Sequence, residues 1–187
     1  MSTVKRIVIF GTESTGKTTL AERLAVHFAE PWSPEFVREF WEVRGGEIKA
    51  GDLGTIALGQ IANEDLALAR ARRVAFFDTD LLTCTLWDDL LFPGECPAWV
   101  RVEAEERARA HALYLLCAAD VPFAVDPQRC FPDTAARAGA AQTWREALTR
   151  RNLPFVEIGG SWPERERAAC AAVAAVLAAG GDARRAT

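Results

Sequence analysis

Apolar and polar residues change period several times along this chain, and each change marks an element. The run VKRIVIF (4–10) is short, β-branched and ends at a glycine, which predicts a strand buried on both faces of a parallel sheet. From Lys17 the period turns helical, with Leu20, Leu24 and Phe28 on one face, and Pro31 is expected to stop the helix. SPEFVREFWEVR (33–44) predicts a short extended piece running into a helix. LGTIALGQIANEDLALARAR (53–72) predicts a longer helix with Ile56, Gln60 and Asn63 near one another on its surface. RRVAFFDTD (72–80) is a second buried strand that ends in two carboxylates, and a helix over LLTCTLWDDLL follows. Two prolines and a glycine make FPGECPAW (92–99) a loop before the charged helix VRVEAEERARA. HALYLLCA (111–118) and PFVEI (154–158) are further strands, separated by a polar, arginine-bearing loop and helix over 124–151. Ser161 and Glu164 have the spacing of a capping box for the last helix.

Strands alternating with helices imply right-handed crossovers and a mostly parallel sheet covered on both faces. Half of the 187 residues are apolar, enough for one core, so a single domain over 1–180 is expected, with residues 181–187 as a frayed tail. A formal net charge of −4 supplies no basic field for a nucleic-acid backbone, so no nucleic-acid partner is expected. The five cysteines are odd in number and never spaced CxxC, which argues against a disulfide framework or a structural zinc site. No signal-peptide pattern opens the chain, and AACAAVAAVLAA (168–179) is too short to span a bilayer, so a cytoplasmic protein without a membrane partner is expected.

Residues Gly11, Thr12, Glu13, Ser14, Thr15, Gly16, Lys17 and Thr18 match the phosphate-loop pattern GxxxxGK(S/T) between a predicted strand and helix, with Thr19 next in line. Glycines at that spacing let successive N–H groups point at phosphate oxygens, and the helix dipole adds to the attraction. Lys17 should reach the β- and γ-phosphates and the Thr18 hydroxyl should ligate Mg²⁺, so ATP and Mg²⁺ are the expected cofactors. Asp78, at the end of VAFFD, is the expected second metal-holding group. Asp80, two residues on, should project beside it; the alternative for either acid is a helix N-cap.

These features predict a P-loop NTPase α/β three-layer sandwich with about five mostly parallel strands, similar to nucleoside and nucleotide kinases, with a short helical lid at about 124–140. No NKxD-type guanine motif follows a later strand, and no glutamate follows Asp78 as in motor-type ATPases. A lid segment VDPQRCFPDTAAR carries Arg129 and Arg137, placed to swing over a transferred phosphoryl or else to lie solvated on the surface. Glu35, Arg38 and Glu39 stand among Phe36, Phe40 and Trp41, a mixture that suits a hydroxylated aromatic ligand or the core face of an amphipathic helix.

GTESTGKTTL, EFVREFW, IALGQ, VAFFDTDLLTC and YLLCAADVPFAVDPQR, in that order and spacing, resemble the ribosylnicotinamide kinase domain of the NadR family over roughly residues 5–158. The resemblance implies transfer of the ATP γ-phosphoryl to the 5′-hydroxyl of nicotinamide riboside, giving nicotinamide mononucleotide for NAD synthesis. It maps Gly11 to Thr18 onto the family's phosphate loop, Asp78 and Asp80 onto its acidic strand end, Arg129 onto its lid, and Arg38 with Glu39 onto its RE pair. The multidomain members carry a nucleotidyltransferase domain ahead of the kinase; this chain opens at the kinase strand, so adenylyl transfer is not expected of it. Its VDPQRCFPD also differs from the family's VDDGLR type of lid. The expected catalytic residues are Lys17, Arg129 and, as base, Asp80 or Glu35; the expected nucleotide contacts are Gly11 to Thr19 and Arg137. Phe36, Arg38, Glu39 and Asp80 are expected around a nucleoside-type substrate. Two rival readings are a nucleotide-dependent ATPase or sensor acting through a protein partner, and a kinase for another nucleoside or metabolite.

Overall fold

The computed structural model describes residues 4–122 and 134–182. Among the described residues five strands form one sheet: β1 (Lys5–Phe10), β2 (Trp32–Ser33), β3 (Val74–Asp78), β4 (Leu113–Cys117) and β5 (Phe155–Ile158). Their order is β2-β3-β1-β4-β5 and every pairing is parallel. The register sets Ile9 beside Asp78 and Phe10 beside Leu116, so the carboxyl ends of the three central strands finish together at one edge.

Among the described residues seven α-helices connect and cover the strands: α1 (Lys17–Phe28), α2 (Phe36–Val43), α3 (Leu53–Arg70), α4 (Leu81–Leu91), α5 (Ala98–Ala110), α6 (Thr134–Arg150) and α7 (Trp162–Asp182). Because strand side chains alternate, each central strand feeds two cores. Val8, Phe10, Ala75, Phe77, Tyr114 and Leu116 pack on one face against α3, α4, α5 and α6, where the fully buried Trp144 meets Trp87 edge-on at 5.0 Å. Ile7, Ile9, Val74, Phe76, Leu113 and Leu115 pack on the other face against Leu20, Leu24, Ala169 and Val173 of α1 and α7. Burial on both sides is why these strands read as continuous apolar runs.

Local chemistry moves several expected boundaries. The first helix ends before Pro31: Ala29 turns left-handed at φ 51 and returns its N–H to Val26. The extended piece after it is a two-residue edge strand, Trp32–Ser33, held in register with Phe76 and Phe77. His111 closes α5 rather than opening β4. Glu164 accepts hydrogen bonds from the Ser161 N–H and hydroxyl, holding the chain as it enters α7. The lid expected at about 124–140 lies outside the described residues as far as 133, and its remainder is the first turns of α6; residues 183–187 of the tail also lie outside them. Among the described residues no helix is long and apolar enough to cross a membrane.

Candidate active site

The phosphate loop runs from the end of β1 into α1, and its shape depends on residues that tolerate unusual backbone angles. Gly11 sits at φ 139, where a Cβ would come within 2.9 Å of the Cys117 carbonyl oxygen. Gly16 caps α1 at φ 80 with no side chain of its own to bond the helix N-terminus, leaving those N–H groups for an anion. Ser14 is left-handed at φ 55. Inside the loop the Thr15 hydroxyl donates to the Thr12 carbonyl at 2.9 Å, and the Lys17 ammonium donates to the same oxygen at 2.8 Å. Thr12, Glu13 and Thr15 are buried, while Thr19 is half-buried on α1.

A brace from the last helix holds this loop from behind. Arg165 is fully buried and donates to the carbonyl oxygens of Thr15 (3.2 Å), Ala118 (3.1 Å) and Gly160 (2.9 Å), and it pairs with Asp120. Trp162 lies against Gly16, so a Cβ there would stand 2.7 Å from its ring. Arg23 and Arg165 flank the same indole at 5.0 and 5.9 Å. Sequence reasoning missed this set. The available signal was a charged residue at position 165 on the same stripe as the buried Ala169 and Val173 of α7.

The Thr18 hydroxyl donates to Asp78 Oδ2 at 2.6 Å, joining the loop to the end of β3. Asp78 is almost fully buried, and its Oδ1 has no hydrogen-bond partner among the described residues. Burial raises the Asp78 carboxyl above its ordinary range, the Glu35 carboxylate adds to the rise, and Lys17, Thr18 and Arg38 oppose it. A hydroxyl and an orphaned carboxylate oxygen are hard donors that fit a divalent cation. Among the described residues no three His, Cys, Asp or Glu side chains cluster as a metal cage. The pair would suit a small divalent cation that takes few protein ligands.

Asp80 does not join Asp78. Thr79 between them adopts φ 67, which breaks strand alternation and turns the next side chain inward. Asp80 caps α4: its Oδ1 accepts from the Thr83 N–H (3.0 Å) and hydroxyl (3.2 Å), and its Oδ2 accepts from the Tyr114 hydroxyl at 2.7 Å. With both oxygens committed inside the protein, the expectation of Asp80 as an acceptor-facing base is corrected. Burial nevertheless raises its carboxyl to about 6. His111 Nε2 lies 3.6 Å away, but burial, then Arg6 and Arg107, push its imidazole down to about 3; neutral histidine makes no ion pair there.

Beside the loop opens a cleft of about 390 Å³, bounded by Glu13 and Lys17 on one side and by α2, α3 and α4 around the rest. Glu35, Arg38 and Trp41 line it, with Arg38 Nε donating to Glu35 at 3.3 Å. Two other expected substrate residues are corrected. Phe36 turns toward α3, its ring where a Cβ on Gly59 would stand at 2.2 Å, and Glu39 is exposed on the outer side of α2. The Phe36 N–H donates to Gln60 at 3.1 Å, so Gln60, expected on the surface, is a buried anchor for the start of α2. Sequence reasoning missed the α4 wall, where Thr83, Cys84, Trp87, Asp88 and Leu91 share one helix face. Arg137 is corrected too: it is buried and donates to the carbonyls of Ala119 (3.1 Å) and Val121 (3.0 Å), tying down the segment after β4. Arg129 lies outside the described residues.

Comparison with known proteins agrees with this fold. A family model described as AAA domain matches residues 6–165. The chain is similar to the Trifunctional NAD biosynthesis/regulator protein NadR of Salmonella typhimurium and of Escherichia coli K12, at 29% and 30% identity over 159 residues. That alignment covers 83% of this chain and 38% of each relative, so the chain spans about two fifths of the length of the curated relatives it matches. Two solved structures share the fold at 22% identity: NadR protein in complex with NAD and AMP-PNP (TM-score 0.71) and in complex with NR (TM-score 0.72). Each covers 94% of this chain, and the chain covers 50% of each. The architecture is therefore that of a P-loop NTPase, a five-stranded parallel sheet with helices on both faces.

Proposed function

The chain belongs to the AAA domain family, and from that premise we propose that it is an ATP-dependent kinase that phosphorylates the 5′-hydroxyl of nicotinamide riboside, giving nicotinamide mononucleotide. The observation that carries this reading is the cleft of about 390 Å³ that meets the phosphate loop at Glu13 and Lys17, within the usual size range for a small-molecule site. An ATPase that only activates water needs no such chamber beside its γ-phosphate. Similar proteins point the same way: two are NAD biosynthesis/regulator proteins, one solved structure is a complex with NAD and AMP-PNP, and another is a complex with NR.

In this reading the loop N–H groups and the α1 dipole bind the triphosphate, and Lys17 exchanges the Thr12 carbonyl for the β- and γ-phosphates. Thr18 and Asp78 would hold Mg²⁺, which supplies charge neutralisation when bound. Glu35, in the cleft wall and within electrostatic reach of Asp78, takes the place expected of Asp80: it orients the 5′-hydroxyl and accepts its proton. Arg38 holds Glu35 in that position. Arg129, outside the described residues, is proposed as the cation that stabilises the moving phosphoryl. Catalysis is mainly positioning and charge neutralisation.

The test is ADP release with ATP, Mg²⁺ and nicotinamide riboside. Nicotinamide riboside should accelerate ADP release and yield the mononucleotide stoichiometrically, and Lys17→Ala should abolish both. Slow ADP release indifferent to every nucleoside would sink the kinase reading in favour of a nucleotide-dependent sensor.

A further inference from the structure

We propose that Asp88 makes the acceptor cleft selective for a nucleoside whose base carries a positive charge. The proposal rests on the kinase reading above and adds to it a residue that reads the charge of the base.

The cleft has two chemically different ends. Near the phosphate loop its charged residues are Glu13, Lys17, Glu35 and Arg38. Along α4 the lining runs from Thr83 near the β3 end to Asp88 and Leu91, and at 1.5 Å per residue Asp88 stands about 7 to 8 Å farther along the helix than Thr83. That offset suits a nucleoside whose 5′-carbon faces the loop and whose base lies deeper. There the neighbours are Trp87, Leu91 and Phe92, and Asp88 is the charged group among them.

Asp88 is 6% exposed, and no described lysine or arginine forms an ion pair with it. Arg101, the cation whose field reaches it, is committed to Asp89 through hydrogen bonds of 2.6 and 3.3 Å. The neighbouring Cys96 thiol donates to the Pro97 carbonyl at 4.0 Å, and a thiol is in any case a weak donor for a carboxylate. A carboxylate among aromatic and aliphatic walls is costly unless a cation or strong donor meets it. Burial accordingly raises the Asp88 carboxyl above its ordinary range. A flat cationic ring between the walls would reverse that cost, with its charge on Asp88 and its faces on indole. A neutral base of the same shape would leave the carboxylate unanswered.

The experiment compares kcat/KM for nicotinamide riboside, whose ring is a pyridinium, with its dihydro form, which has nearly the same outline and a neutral ring. Wild type should prefer the cation by at least about tenfold, mostly through KM. Asp88→Asn should bring the two within about threefold of each other, and Asp88→Glu should keep most of the preference. A thermal shift with an ATP analogue verifies that each variant still builds the phosphate loop. A wild-type enzyme that turns over both nucleosides equally overturns the proposal whatever the variants do, and so does an Asn variant with the wild-type ratio. An enzyme that phosphorylates neither overturns the kinase reading itself, a result distinct from loss of selectivity.

Discussion

Arg165 Nη1 donates to the carbonyl oxygen of Thr15 at 3.2 Å, joining positions 150 residues apart and making the last helix part of the phosphate loop's frame. The same guanidinium bonds the Ala118 and Gly160 carbonyls, so one buried cation fixes the loop after β1 and the segments after β4 and β5. Loop amides must point at phosphate before phosphate arrives, and this brace is what keeps them there.

Replacing Arg165 by Met keeps most of its volume and strands three carbonyl oxygens. Stability in urea should fall by about 3 kcal/mol, and the apparent KM for ATP should rise. Arg165→Lys should not rescue, because one ammonium cannot reach the carbonyls that the planar fork spans. A Met variant with wild-type stability and ATP affinity would show that the brace is passive.

Gly16→Ala introduces a methyl 2.7 Å from the Trp162 ring at a backbone φ of 80. The variant should lose nucleotide binding and about 1 to 3 kcal/mol of stability. Adding Trp162→Leu should recover part of the loss by removing the clash, and the left-handed strain should remain. Strict additivity of the two substitutions would show that they do not touch.

Glu35 and Asp80 separate cleanly by mutation. Glu35→Gln should lower kcat by about a hundredfold or more and hardly change the melting temperature. Asp80→Asn should cost about 1 to 3 kcal/mol of stability through its bonds to Thr83 and Tyr114, with kcat within a few-fold of wild type. Steady-state rates beside melting curves decide it, and a reversed pattern would return the base role to Asp80.

Glu64 gives the fold a pH signature. Burial, then the Asp80 carboxylate, raises its carboxyl from 4.5 to about 8, outweighing Arg107 at 3.2 Å. Between those two pH values the native state keeps a proton that the unfolded state releases, so stability falls as pH rises through the window. His111 acts at the acid side: with its folded value at about 3 against 6.5, stability also falls as pH drops through that range. Glu64→Gln should remove the alkaline decline and leave the acid one. Urea unfolding at several pH values measures both, and parallel wild-type and variant curves above neutrality would refute the assignment.

The β1 run and the glycine pattern of the loop are legible in sequence because each is set by residues close together or by a fixed motif spacing, whereas the hydrogen bond between Thr18 and Asp78 spans 60 positions and comes from the fold. Asp80 was misplaced because strand alternation was extended two residues past the strand end at Asp78, through a Thr79 whose left-handed turn has no residue-type signature. Phe36 and Glu39 were drawn into the cleft because their helix was read without its neighbour; Gly59 supplies the socket for Phe36, 23 positions on. Arg165, Arg137 and Gln60 escaped for a common reason. A polar side chain that caps distant carbonyls or amides leaves at most a weak local trace, such as the charge of Arg165 on the apolar stripe of α7, and burial is what reveals its role.

The strand order carries a consequence for synthesis of the chain. β1 lies at the centre of the sheet, and its two partners are not available until residues 78 and 117 have been made. The phosphate loop at residues 11–18 gains its last support only when residue 165, some 150 positions later, emerges. Folding is therefore dominated by long-range closure, and a nascent chain on the ribosome should not retain nucleotide until its final helix has docked.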